Sequence, residues 1–177
     1  MFTEAQRQAI LELARAAVHA QVAGAPLPSV AIDLPDATGA FVTLKRDGQL
    51  RGCLGTLECR RSLAEEVARC AANAASEDPR FPPVARVELD GLDVEVSVLG
   101  PLELIDPTDP DAIVVGRHGL VVERGSCRGL LLPQVAPEWG WTRDQFLTHT
   151  CRKAGLPDDA WRRGARVYRF EADVFGD

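Results

Sequence analysis

The chain has 177 residues, of which 20 are Lys or Arg and 26 are Asp or Glu, so its formal net charge at pH 7 is −6. This length suits one domain, or a domain with a small appended lobe, and allows most of the apolar surface to be buried. A negative balance argues against broad binding to nucleic-acid phosphates, which needs a surplus of Lys and Arg. With no apolar run near 18 residues and no signal-peptide pattern, we expect a cytoplasmic protein without membrane contact.

The five cysteines and three histidines are scattered singly along the chain. Because there is no CxxC pair, HxxxH pattern or Cys/His cluster, the sequence predicts no metal site and no disulfide framework. Phosphate loops of the GxGxxG and GxxxxGKS types are also absent, so no nucleotide cofactor is assigned and the cofactor is unknown. We expect the thiols to be reduced.

Three capping boxes predict the starts of three main helices. They begin at Thr3, Ser62 and Thr142, each of which is followed three residues later by Gln or Glu and then by apolar residues at helical spacing. Gly24 and Gly155 are predicted to end the first and third helices.

Period-two alternation predicts the strands. Residues 92–99 and 167–175 alternate apolar and polar side chains, as a strand with one buried face does. An Asp- and Pro-rich connector at 105–112 marks a lobe boundary. The pattern predicts an α+β fold for 1–177 as a single domain, with an antiparallel or mixed sheet, about three main helices, and a larger lobe plus a smaller lobe.

Two short β-branched runs, 113–115 and 120–122, are predicted to form a hairpin. The glycine-flanked segment Gly116–Gly119 would be its turn. This interpretation places His118, the best histidine candidate for a general base, in that turn.

The segment Leu50–Gly55 (LRGCLG) is the least typical of a strand because it places an arginine, a thiol and two glycines within six residues. Glycine weakens a strand and offers nothing to pack, so Gly52 and Gly55 indicate a bulge or a close approach of backbone. The segment therefore predicts a functional site more firmly than it predicts a reaction.

The register around this segment follows from the turn at 47–48, whose Asp-Gly sequence predicts a type I′ hairpin. In that register Leu44 faces Arg51 and Val42 faces Cys53, so Arg51 and Cys53 share one face of the strand. A bulge at the glycine between them would shift the register by one residue and move the thiol to the other face.

One hypothesis makes the protein an enzyme. Cys53 would be the nucleophile, because a guanidinium close to a thiol favours the reactive thiolate. Arg51 would be its activator or an anion clamp, and Glu95 or His118 the general base. The reaction class would be acyl or group transfer on a small anionic molecule.

A second hypothesis makes the same segment part of a binding module without chemistry. Gly52 and Gly55 would expose backbone N–H groups, and Arg51 would offer a fork for a carboxylate or phosphate. Cys53 would then be a small residue that fits. A third hypothesis is purely structural, with Leu50–Gly55 as a core strand of a scaffold.

Further candidate ligand-binding residues lie outside the LRGCLG segment. Prolines stiffen the loop Glu77–Pro83, in which Asp78 and Arg80 either pair with each other or bind a ligand. On the predicted strand after this loop, Glu95 and Ser97 point away from the core face, into solvent or into a cleft beside the hairpin.

Six ordered segments together resemble the AMMECR family, the A component of the AmmeMemoRadiSam system, and the resemblance extends from about Thr3 to Phe175. The family signature usually has isoleucine at Leu54, a harmless change of aliphatic shape. The segments are 41–44 (FVTL), 50–55 (LRGCLG), 78–81 (DPRF), 95–99 (EVSVL), 116–120 (GRHGL) and 132–136 (LPQVA).

The resemblance implies a two-lobed α+β protein in which Arg51–Gly55, Asp78–Phe81 and Glu95–Ser97 face a common cleft. It also implies a genomic association with a Memo-like protein and a radical-SAM protein, which makes these two proteins the candidate partners. It implies no settled biochemical activity.

Overall fold

The computed structural model describes residues 2–177 and divides them into two compact units. The first unit extends to Leu99 and includes Asp173–Asp177, and the second is Gly100–Ala172. Each unit has a hydrophobic core of its own. Within the described residues, no helix is long and apolar enough to cross a membrane.

The first unit packs two helices against one face of an antiparallel sheet, whose strands follow the order β2, β1, β3 and the end of β7. Its elements are α1 (Glu4–Ala23), β1 (Gly39–Arg46), β2 (Gln49–Thr56), α2 (Leu63–Ser76), a 3-10 turn (Arg86–Gly91), β3 (Leu92–Leu99) and the last residues of β7 (Arg166–Gly176).

Both predicted capping boxes of this unit are confirmed. The Thr3 hydroxyl accepts the Gln6 N–H and the Gln6 side chain accepts the Thr3 N–H, and Ser62 and Glu65 repeat the arrangement at α2. Such caps each contribute about 1 kcal/mol to helix stability. Gly24 ends α1 in the left-handed conformation, with φ of 68°.

The final residues of β7 complete the sheet of the first unit. The Asp177 N–H donates to the Val94 carbonyl at 3.2 Å, and the Val94 N–H donates to Asp177 Oδ2 at 3.0 Å. The Arg7 guanidinium also pairs with the nearly buried Asp173 carboxylate at 2.9 Å. A strand encoded far from β3 is therefore part of this unit.

The face of the sheet below the helices is apolar and closely approached by α2. Val42 and Leu44 of β1 and Val96 of β3 are completely buried there. A Cβ at Gly52 would overlap the carbonyl oxygen of Ala74 in α2. The absence of a side chain at Gly52 therefore allows α2 to approach β2 this closely.

The predicted type I′ turn at 47–48 is confirmed by positive φ angles of 52° and 74°. The regular register beyond it is wrong, and the alternative, a one-residue bulge that moves the thiol to the other face, is present at Arg51 rather than at Gly52. Leu44 lies opposite Gly52, Thr43 lies opposite Cys53, and Arg51 is an extra, unpaired residue in a bulge.

The bulge has a packing cause. Only glycine fits beneath α2, so the chain must keep Gly52 on the helix-facing side, opposite the buried Leu44. The extra residue before it achieves this and turns Cys53 to the face away from the helices. Arg51 and Cys53 therefore do not occupy the places that the regular register predicts.

The second unit contains one helix of 11 residues and four antiparallel strands, which lie in the order β4 (Glu103–Ile105), β7, β5 (His118–Arg124) and β6 (Cys127–Leu131). The predicted third helix is confirmed, with Thr142 as its N-cap. Together with α1 and α2 it gives three main helices in an α+β fold. The elements of this unit are β4 (Glu103–Ile105), β5 (His118–Arg124), β6 (Cys127–Leu131), α3 (Val135–Trp139), α4 (Arg143–Lys153), a 3-10 turn (Ala160–Arg162) and most of β7.

The predicted hairpin with its turn at Gly116–Gly119 is wrong. Residues 113–115 are not a strand, a turn lies at 115–117, and His118 begins β5. The turn closes through the N–H groups of Arg117 and His118, which donate to the Val114 carbonyl at 3.1 and 3.0 Å. The hairpin of this unit joins β5 to β6 instead.

We predict that Gly52→Ala destabilises the first unit by roughly 1–3 kcal/mol or more, because the new methyl group must displace the backbone of α2. Gly91→Ala is the matched control, since its Cβ meets no atom within 4 Å. Urea unfolding followed by circular dichroism measures both variants. Tryptophan fluorescence is unsuitable because all three tryptophans lie in the second unit. Equal stabilities of the two variants would contradict the packing argument.

Candidate functional site

The sheet face of the first unit that points away from the helices carries several predicted site residues. Residues directly opposite one another on neighbouring strands project to the same face. Across β2, β1 and β3, one row is Cys53, Thr43 and Glu95, and the next row is Gly55, Phe41 and Ser97.

The thiol of Cys53 has a hydrogen-bond donor that sequence reasoning missed. The Thr43 hydroxyl donates to Cys53 Sγ at 3.2 Å, and the cysteine is partly exposed. This contact fixes the position of the sulfur relative to β1. Thr43 could have been found from the sequence only by placing the bulge correctly.

The main chain of Cys53 is held by the loop that follows α2. Its N–H donates to Asp78 Oδ2 at 2.9 Å, and its carbonyl accepts from Arg80 Nη2 at 3.5 Å, the long limit of a hydrogen bond. Asp78 and Arg80 also bind each other, with 2.7 Å between Oδ2 and Nη2. The Asp78–Arg80 pair thus occupies the place that another strand would take beside β2.

Asp78 is ionised and almost completely buried, with 3% of its side chain exposed. The hydrogen bond from the Arg80 side chain, supported by the N–H groups of Cys53 and Arg80, holds the pKa of this carboxyl well below its usual range, against the opposing effect of burial. The predicted pairing of Asp78 with Arg80 is present. Their role in ligand binding stays a prediction.

Arg51 is turned away from the thiol and bound to Glu88. Its Nε and Nη2 donate to Glu88 Oε1 and Oε2 at 2.9 and 3.0 Å, and its Nη1 donates to the Pro82 carbonyl at 3.0 Å. The hydrogen bonds from Arg51 lower the pKa of Glu88 to about 2. The guanidinium fork proposed for a ligand is therefore filled by a carboxylate of the same unit, and the structure does not bring Arg51 to the Cys53 thiol.

Glu95 and Ser97 lie on the same sheet face as Cys53 but on β3. Glu95 pairs with Lys45 at 2.8 Å, and both side chains are partly exposed. Ser97 is buried. Two strand spacings, about 10 Å, separate the backbones of Cys53 and Glu95.

His118 belongs to the second unit, whereas Cys53 belongs to the first. It is buried, and its Nδ1 accepts the Val114 N–H at 3.0 Å. Burial, reinforced by Arg169 and Arg117, lowers the pKa of His118. The imidazole is therefore neutral at pH 7, with its proton on Nε2.

The outer edge of β2 continues at Gly55, which is exposed. Because the Cys53 N–H points outward to Asp78, the N–H and carbonyl of Gly55, two residues later in a regular ladder, also point outward. A side chain at this position would overlap the Phe41 ring and the Ala40 carbonyl. Gly55 is thus a bare backbone position on an open strand edge.

Across residues 2–177, no three His, Cys, Asp or Glu side chains are grouped closely enough to hold a metal ion.

The fold and the site define a class of α+β protein. In this class the edge strand β2 carries glycines and a cysteine, and the Asp78–Arg80 pair covers part of its outer edge. The sequence profile of the AMMECR1 family matches residues 11–175. The chain therefore belongs to the AMMECR1 family.

Similar proteins occur in archaea. A protein of Methanothermobacter thermautotrophicus is 49% identical over 175 residues, covering 94% of this chain and 91% of its own. One from Methanosarcina acetivorans is 44% identical and covers 99% of this chain and 93% of its own. The crystal structure of the uncharacterized protein PH0010 from Pyrococcus horikoshii superimposes with a TM-score of 0.86 at 42% identity, covering 99% of this chain and 93% of that one.

We predict that Asp78→Asn lowers the free energy of unfolding at pH 7 by roughly 1–3 kcal/mol, because it leaves the Arg80 guanidinium without its charged partner. The folded pKa of Asp78 lies below the unfolded value of about 3.9, so its contribution is complete above that pH and is lost as the pH falls. The difference between wild type and variant should therefore shrink below about pH 4.

Circular dichroism during urea unfolding at several pH values tests this prediction. Asp90→Asn is the control, because Asp90 is exposed and should leave the stability nearly unchanged. If the difference in free energy of unfolding between wild type and Asp78→Asn stays constant down to pH 2, the charge of the Asp78 carboxylate is not the cause of the stabilisation.

Proposed function

We propose that the protein is a non-catalytic module that binds a partner along the outer edge of β2 and works with Memo-like and radical-SAM proteins. The observation that carries this proposal is the outward-facing, exposed backbone at Gly55, next to a Cys53 backbone fixed by Asp78 and Arg80. An extended segment can add to such an edge through main-chain hydrogen bonds.

The charged side chains of the segment support binding rather than thiol chemistry. Arg51 holds Glu88 and the carbonyl of Pro82, and the Asp78–Arg80 pair holds the Cys53 main chain. These contacts fix the edge before any partner arrives, and a preorganised edge loses less entropy on binding. All five cysteines are free, which suits the reducing cytoplasm where we place the module.

We predict that a partner protects the Gly55 amide. In the free protein this N–H should exchange quickly with solvent, and in the complex its exchange should slow at least tenfold because it enters a main-chain hydrogen bond. Selective ¹⁵N labelling of the 15 glycines resolves it by NMR. Purified Memo-like and radical-SAM proteins from the same genome are the probes.

Gly91 and Gly125 serve as internal controls because both are exposed and lie elsewhere in the chain. Their amides should exchange at unchanged rates, and Cys53→Ala should bind as the wild type does. Binding without protection of Gly55 would place the interface elsewhere, and absence of binding to both probes would reject the proposed partners.

A second candidate function is favoured by the hydrogen bond from Thr43 to Cys53 Sγ. In this alternative, Cys53 attacks an acyl group of an anionic small molecule, the leaving group departs with a proton, and an acceptor then takes the acyl group from the thioester. Glu95, on the same sheet face, is its acid–base candidate.

We predict for this alternative that Thr43→Val slows alkylation of Cys53 at pH 7 by about fivefold, the effect of losing one hydrogen bond to the thiolate. Thr43→Ser keeps the hydroxyl and is the matched control. Peptide mass spectrometry with a neutral haloacetamide measures each cysteine separately. The partly exposed Cys127 gives the reference rate. A Cys53 that reacts like Cys127 and ignores Thr43→Val would exclude an activated nucleophile.

A further inference from the structure

A second feature of the first unit lies beside the open end of β2. A cleft of about 310 Å³ separates the end of this strand from the first turns of α2. Its walls are mostly polar or charged. They are formed by Gly55, Thr56, Glu58, Arg60, Arg61, Glu66, Arg69, Cys70 and Asn73.

The cleft is locally positive although the whole chain is negative. Three guanidinium groups and two carboxylates line it, so one positive charge is left over. Arg60 pairs with Glu58 at 3.3 Å on the exposed rim. The remaining cations, Arg61 and Arg69, share the single carboxylate of Glu66.

The carboxylate of Glu66 already accepts hydrogen bonds from the backbone. It is buried, and its Oε1 accepts the N–H groups of Arg60 and Arg61 at 3.1 and 3.2 Å. Its distances to the guanidinium groups are long, 3.8 Å to Arg61 Nη1 and 3.5 Å to Arg69 Nη1. Glu66 therefore partly neutralises these arginines without taking up their hydrogen-bond donors.

Arg61 and Arg69 consequently keep their donors free. Neither guanidinium donates a hydrogen bond to any residue in the described part of the chain, although each is only about half exposed. A guanidinium has five N–H donors in a planar fork that matches a carboxylate or phosphate. This contrasts with Arg51 and Arg80, whose forks are filled by carboxylates.

We propose that this cleft is a binding site for an oxyanion ligand, a carboxylate or phosphate group held between Arg61 and Arg69. The volume admits a group of this kind together with a small organic body. The backbone of Gly55 forms part of the wall, so a ligand in the cleft also reaches the open end of β2. The two sites share Gly55, but the anion site does not require a partner on that edge.

Isothermal titration calorimetry at low salt tests the proposal with three probes: inorganic phosphate, citrate, and an acetylated and amidated peptide of four acidic residues. We expect saturable one-site binding of at least one probe, weakening as salt is added. Tight binding of the peptide alone would assign the anion to a protein segment, and tight binding of phosphate or citrate would assign it to a small molecule.

Variants of the arginines locate the site. Arg61→Gln and Arg69→Gln should each weaken binding about tenfold, because each removes a charge-assisted contact. Arg61→Lys and Arg69→Lys keep the charge but lose the fork and should give intermediate affinities. Arg163→Gln is the matched control for net charge, since Arg163 is exposed in the second unit and pairs with Asp159.

Glu66→Gln tests for a change of affinity in the opposite direction. Removing this negative charge from the cleft should strengthen binding several-fold, provided that circular dichroism shows the folded protein. Absence of saturable binding up to about 10 mM of every probe would overturn the proposal. Affinities that fall equally in Arg163→Gln and Arg61→Gln, or that ignore both cleft arginines, would overturn it as well.

Discussion

The contact between Gly52 and α2 determines how the rest of the candidate site is built. The helix comes so close to the strand that no side chain fits between them at this point, and the Ala74 carbonyl fills the space. The bulge at Arg51 keeps the glycine in that position. Everything after the bulge, including the side of the sheet on which the thiol appears, follows from this single steric requirement.

Ion pairs then fix the segment on its other side. Arg51 joins the strand to the 3-10 turn through Glu88, and the Asp78–Arg80 pair joins it to the loop after α2. Both carboxylates are well shielded from solvent, so these pairs are screened less than surface pairs and position the backbone firmly. The charged side chains around the LRGCLG motif are therefore paired within the unit, whereas the guanidinium groups of Arg61 and Arg69, beyond its end, donate no hydrogen bond to the described residues.

Local signals predicted the elements of the fold well. The capping boxes at Thr3, Ser62 and Thr142 and the turn at 47–48 depend on residues within four positions of one another, and all were confirmed. The sequence left both a regular and a bulged register open after Leu50, because the choice between them depends on Ala74, far along the chain. The partner of Arg51 could not be predicted for the same reason, since no local pattern connects it with Glu88 across 37 residues.

Strand β7 contributes residues to both units, and this affects folding during synthesis on the ribosome. The helices and three strands of the first unit are complete when residue 99 has been synthesised, but the neighbour of β3 comes from Asp173–Asp177. Until those residues leave the ribosome, β3 has an unpaired edge at which strands of other chains can add.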